Sequence, residues 1–132
     1  MDALNYIWLS NDKYYDPKEF ASKSPIPTEY LDNAVRTARD NPDVQVNIWA
    51  EFGKVDKRYF DDFVIKPQNL TFRNLNDVEG YREDPLFHDA NADIWKKCDL
   101  VRLYVLDHVI SKENAANAYF SDFDIKSPKF SS

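Results

Sequence analysis

A chain of 132 residues with 43% hydrophobic and 15% aromatic content is not a disordered polymer. It fits one domain, residues 1–132, long enough to bury about two-thirds of its unfolded surface. The formal net charge of −6, with 17 Asp among 23 acidic residues, excludes a basic nucleic-acid footprint. An anionic ligand would therefore depend on a metal ion or a local Arg or Lys.

The single cysteine, Cys98, cannot form an internal disulfide and reads as a small buried hydrophobe on a helix. The start, Met1-Asp2-Ala3-Leu4, has neither the basic region nor the apolar run of a signal peptide. No window approaches the ~18 apolar residues of a membrane span. The expectation is a soluble chain without a transmembrane segment, cytoplasmic or exported without a cleaved signal.

In chain order, residues 4–9 form a short apolar run that predicts a first buried strand. Residues 10–27 are polar and hold Pro17, Pro25 and Pro27, which predicts a loop or lid. Thr28 is the expected N-cap of a helix carrying Tyr30, Leu31, Ala34, Val35 and Ala38 on one face. The residue before a proline avoids the α region, so Asn41-Pro42 should stop that helix.

Val44, Val46, Ile48 and Ala50 alternate with Gln45, Asn47 and Trp49, the period of a second strand. Asp56 should cap a short helix through Phe63, and residues 70–75 read as a third strand. Residues 76–90 read as loop with one helical turn at most. The strongest helix spans 91–110, with Ile94, Cys98, Val101, Val105 and Val109 in one stripe that Leu103, Leu106 and Ile110 widen. Residues 118–125 read as the last strand. Strands separated by helices predict an α/β fold with a parallel, Rossmann-like sheet.

The chemistry concentrates near the end of the chain. Asp122 and Asp124 are two apart, so a strand would aim both carboxylates to one side. They follow an apolar strand, at the carboxyl end where open α/β sheets take ligands. Mg²⁺ or Mn²⁺ commonly binds through one or two carboxylates plus substrate phosphates. The alternative is a solvated strand end.

Asp99 and Arg102 are three apart and share a helix face. They form either a surface ion pair or an Asp-oriented guanidinium for a phosphate. Trp8, near the end of the first strand, is either a core aromatic or a platform for a planar base. His88 and His108 lack metal-ligand spacing, and with two glycines in the chain a Gly-rich phosphate loop is excluded.

Taken in order, Tyr6-Ile7-Trp8-Leu9, Ile26-Pro27-Thr28-Glu29-Tyr30-Leu31, Val46-Asn47-Ile48-Trp49, Lys97-Cys98-Asp99-Leu100-Val101-Arg102 and Asp122-Phe123-Asp124 resemble one family. It is the DXD-containing sugar-binding family of GT-A glycosyltransferases, and the pattern is also similar to the glucosyltransferase domains of large clostridial toxins. The resemblance runs from about residue 4 to residue 125.

It implies a GT-A nucleotide-sugar-binding sheet with flanking helices, a UDP-sugar donor and retaining transfer to an unknown acceptor. It further implies that Trp8 stacks on uracil and that Asp99 and Arg102 contact the sugar and phosphates. Asp122 would contact ribose and sugar, and Asp124 would bind Mn²⁺ or Mg²⁺. Asp122, Asp124 and Arg102 are thus the expected catalytic set.

Three departures accompany the resemblance. Asn117 and Ala118 stand where the family usually has Gly-Gly, and Phe120 stands where it has Tyr. A C-terminal half with acceptor and further metal contacts is also missing, so the chain reads as an apparently truncated donor-binding half. Such a half would be completed by more chain or by self-association. The alternative expectation is a catalytically inactive relative that binds a nucleotide sugar or serves as an interaction domain.

Overall fold

A computed structural model describes residues 1–9, 28–50, 67–89 and 91–122 of the chain. The expected loop 10–27, the helix capped by Asp56, and Asp124 with the tail lie outside these residues. The described elements are β1 (Asp2–Trp8), α1 (Thr28–Asp40), β2 (Val44–Ala50), β3 (Leu70–Asn74), two short 3-10 turns (Leu75–Asp77 and Pro85–His88), α2 (Ile94–Glu113) and β4 (Ala118–Phe120). The strands form one sheet in the order β3-β2-β1-β4. Every pairing is parallel, with Leu4 opposite Val46, Ile48 opposite Phe72 and Leu4 opposite Tyr119. The expected parallel α/β architecture is present, and its strand order is compatible with a Rossmann-like sheet.

Each face of the sheet buries one helix. On one side Leu4, Tyr6, Val46 and Ile48 pack against Leu31, Ala34, Val35 and Ala38 of α1. On the other, Ala3 and Trp49 pack with Val101, Val105 and Val109 of α2, and with Leu75, Val78, Tyr81 and Phe87 from the turns. Two-sided cover has a consequence for β2. The alternation in β2 marked a strand, as found, but its more polar positions are not turned to water: Asn47 and Trp49 are 1% and 0% exposed. A central strand between two helical layers has no solvent side.

The polar groups this brings inside are satisfied. Asn5 Oδ1 accepts from Asn47 Nδ2 (3.1 Å) and Trp49 Nε1 (2.8 Å). Gln45 Nε2 donates to Asn47 Oδ1 (3.2 Å) and Thr71 Oγ1 (3.1 Å). A buried polar ladder thus crosses β1, β2 and β3.

Helix boundaries follow local chemistry. Asp40 ends α1 ahead of Asn41-Pro42 as expected, and α1 already includes Thr28. The Asn69 amide braces the passage from α1 to β2, donating to Ala38 O (2.9 Å), Asn41 O (3.1 Å) and Val44 O (2.9 Å). Helix α2 starts at Ile94, three residues later than expected, because Asp93 caps it by accepting from Trp95 N (2.9 Å). It ends at Glu113, where Asn114 turns left-handed at φ 57°, a conformation that asparagine tolerates.

Leu103 and Ile110 are 64% and 49% exposed and do not widen the buried stripe. That stripe is the narrower Val101-Val105-Val109 row. Among the described residues no helix is long and apolar enough to cross a membrane.

Candidate functional site

Open α/β sheets bind ligands beyond the carboxyl ends of the strands, where strand order reverses. Here the chain runs outward through β1, β2 and β3, then returns so that β4 lies on the other side of β1. Helices α1 and α2 cover opposite faces. The reversal therefore falls between β1 and β4, and their carboxyl ends carry Trp8, Phe120, Ser121 and Asp122. The C-terminal end of α2 returns to the amino edge, where Ala116 N donates to Met1 O (3.1 Å). Its N-terminal half therefore lies over the carboxyl edge and supplies Cys98, Asp99 and Arg102.

Arg102 is the centre of this group. Its guanidinium carbon lies 4.2 Å from the centroid of the Phe120 ring, a cation–π contact that joins α2 to the end of β4. Asp99 Oδ1 is 3.8 Å from Arg102 Nη2, at the outer limit of an ion pair, and the side chains are 79% and 41% exposed. At that separation and exposure the pair contributes little. Arg102 Nε is buried and has no hydrogen-bond partner among the described residues. The accessible part of this side chain, which is 41% exposed, is suited to a forked anion.

The last strand ends at Phe120, short of the expected 118–125, so Asp122 lies beyond it, after Ser121, and is exposed. Cys98 is close enough to feel all three charges. Burial pushes its thiol pKa up, Asp99 and Asp122 push it further in the same direction, and Arg102 opposes them. A thiol raised in this way is a poor nucleophile.

The expected site residues are thus partly assembled. Asp99, Arg102 and Asp122 gather around the carboxyl end of β4. Trp8 reaches the same edge from the other face, where it packs on the α1 core with its ring 6.4 Å from that of Tyr30. Asp124 lies outside the described residues. Among the described residues, no group of three or more His, Cys, Asp or Glu could hold a metal ion. Asp122 offers one exposed carboxylate, which suits a hard cation that keeps most of its ligands as water and phosphate oxygens.

Two features escaped the sequence reading. Phe120, noted there only for a missing hydroxyl, is the platform under Arg102. Asn5 sits in an apolar run yet is 0% exposed and hydrogen-bonded on both sides. A lone amide inside a buried strand was the available signal, since such a group persists only where partners exist.

A second polar cluster lies at the opposite side of the sheet from β4, on β3. Arg73 forks onto Glu113, with Nη1 3.0 Å from Oε1 and Nη2 bonded to Oε2. It also stacks 4.4 Å from the Trp49 ring, while His108 Nε2 is 3.2 Å from Glu113 Oε2. This cluster ties the end of α2 to β3 and is structural.

Compared with known proteins, the chain matches no family model, no curated protein and no solved structure.

Proposed function

We propose that this chain is the donor-binding portion of a DXD-type, GT-A glycosyltransferase that takes a UDP-sugar with Mn²⁺ or Mg²⁺ at the carboxyl edge between β1 and β4. The observation that carries this reading is Arg102. Its guanidinium is held on Phe120, and its side chain is 41% exposed at the point where an α/β sheet receives a ligand.

In this reading Arg102 binds the diphosphate and stabilises negative charge on the leaving group. Asp99 orients the guanidinium and meets the sugar, and Asp122 contacts ribose and sugar. Trp8 offers a ring edge to the uracil from the α1 side. A divalent cation, held by Asp124 and approached by Asp122, would supply charge neutralisation of the departing nucleotide. The reaction would retain the anomeric configuration.

A second reading has a specific observation behind it. Trp95, Leu103 and Ile110 leave an exposed apolar row on α2, which suits an interaction domain without catalysis. Titration calorimetry of the purified chain with UDP, UDP-sugars and Mn²⁺ tests the first reading. Saturable heat is expected, and Arg102→Ala should weaken UDP binding at least about tenfold, or about 1.4 kcal/mol. Asp122→Ala and Asp124→Ala should reduce its metal dependence. No heat at millimolar ligand together with no donor hydrolysis rejects it. Binding without turnover of any donor favours the second reading.

A further inference from the structure

We propose that Asn5 is a positioning residue that latches the carboxyl end of β4 to the sheet and so holds Phe120 beneath Arg102. This rests on the reading of that edge as the ligand site.

The need for a latch follows from β4 itself. Among the described residues it is an edge strand of three residues, in register with β1 at Ala118, Tyr119 and Phe120. A strand that short has little of its own to resist slipping or fraying. A shift by one residue would carry Phe120 to the opposite face and away from the Arg102 guanidinium.

Asn5 opposes this from inside the core. Its Nδ2 donates to Tyr119 O (3.1 Å), and its backbone carbonyl accepts from Ser121 N (3.1 Å). One residue thus grips β4 on both sides of Phe120. The amide cannot turn over without loss. Its Oδ1 is held by Trp49 Nε1 (2.8 Å) and Asn47 Nδ2 (3.1 Å). Since an indole N–H can only donate, the acceptor must face β2 and the donor must face β4.

The neighbouring residue adds a second tie. Tyr6, on the α1 face, bonds Thr37 Oγ1 (3.0 Å) and the Ser121 side chain. An apolar residue at position 5 would fill the same space without burying a polar group. The polar choice buys register instead, through partners on both neighbouring strands, β2 and β4.

The test compares wild type, Asn5→Leu and, as a second variant, Trp49→Phe, which removes the indole donor that orients the amide and also reduces the volume of a fully buried side chain. Hydrogen exchange is read at the Ser121 amide, bonded to β1, and at the Val46 amide, bonded to Asn69 O. Binding of UDP with Mn²⁺ is read in parallel.

The expected result is exchange at Ser121 at least tenfold faster in Asn5→Leu, with Val46 unchanged within twofold, and a UDP–Mn²⁺ Kd raised at least tenfold. Trp49→Phe should shift both in the same direction by less. If Asn5→Leu fails to fold, the same local pattern in Trp49→Phe decides. Equal acceleration at Ser121 and Val46, or none at Ser121, overturns the proposal. So does an unchanged Kd in a variant whose Ser121 amide has been released. If wild type binds no UDP–Mn²⁺, the glycosyltransferase reading falls, and the exchange pattern alone decides the latch.

Discussion

Single side chains decide how the elements of this protein end and meet. Asn69 illustrates it: one amide serves the carbonyls of Ala38, Asn41 and Val44, so it closes α1 and starts β2 together. Asn69→Ala should cost about 0.5–1.5 kcal/mol in urea unfolding, because the part-buried carbonyls lose the amide while Ala38 O and Asn41 O keep Asn41 N and Val44 N. Glu113 gives a pH-dependent case. The Arg73 hydrogen bond lowers its carboxyl pKa; partial burial opposes this, and the Arg73 and His108 charges assist it. A carboxylate lowered on folding contributes its full stability above the unfolded value near ~4.3 and loses it as pH falls through the lower folded value. Wild type should therefore exceed Glu113→Gln by about 0.5–1 kcal/mol at pH 7. Thermal melts should show the two converging as the pH falls below about 4.

At the scale of elements, burial rather than hydrophobic pattern sorts the helices. Helix α1 has one apolar face, and that face meets the sheet. Helix α2 carries apolar residues on two sides, and only the Val101-Val105-Val109 row is covered among the described residues. The two helices should answer mutation differently. Leu31→Ala, at 1% exposure, opens a cavity and should cost about 2–5 kcal/mol. Leu103→Ala, at 64% exposure, should stay within about 0.5 kcal/mol of wild type. Paired urea titrations settle it: a large loss at Leu103 would place that side chain in a packed environment. The short 3-10 turns lie under the same logic. Gly80 adopts φ +88°, and a Cβ there would sit 2.8 Å from Tyr104 Cε1, so the turn closes on the α2 surface only through glycine.

For the whole molecule, charge sets the terms on which an anion can bind. A net charge of −6 repels a nucleoside diphosphate at long range. Arg102, with Asp99 and Asp122 beside it, cannot reverse that field alone. A ligand of this class should therefore depend on a cation. UDP in the presence of EDTA should bind at least about tenfold more weakly than UDP with Mn²⁺. Equal affinity in both conditions would speak against a metal-assisted site and leave Arg102 as a simple anion contact.

The linear order of residues was enough for some conclusions and not for others, and the division has a physical basis. Local signals reach a few residues. Asn41-Pro42 stopped α1 and the β-period marked β2, because backbone sterics and side-chain alternation are properties of neighbouring residues. The alternation of strands and helices gave the parallel sheet, since a parallel connection requires a crossover. The Asp93 cap, which sets the start of α2 three residues after the expected one, is a signal of the same local kind.

The ordering β3-β2-β1-β4, the burial of Asn47 and Trp49, the exposure of Leu103, and the meeting of Arg102 with Phe120 are of another kind. Each depends on residues far apart in the chain becoming neighbours. No local preference encodes which strand lies beside which, or which of two apolar helix faces is covered. The candidate site belongs to this second class. Its residue types were legible in the sequence, but their placement around the end of β4 exists only once the sheet has closed on α2.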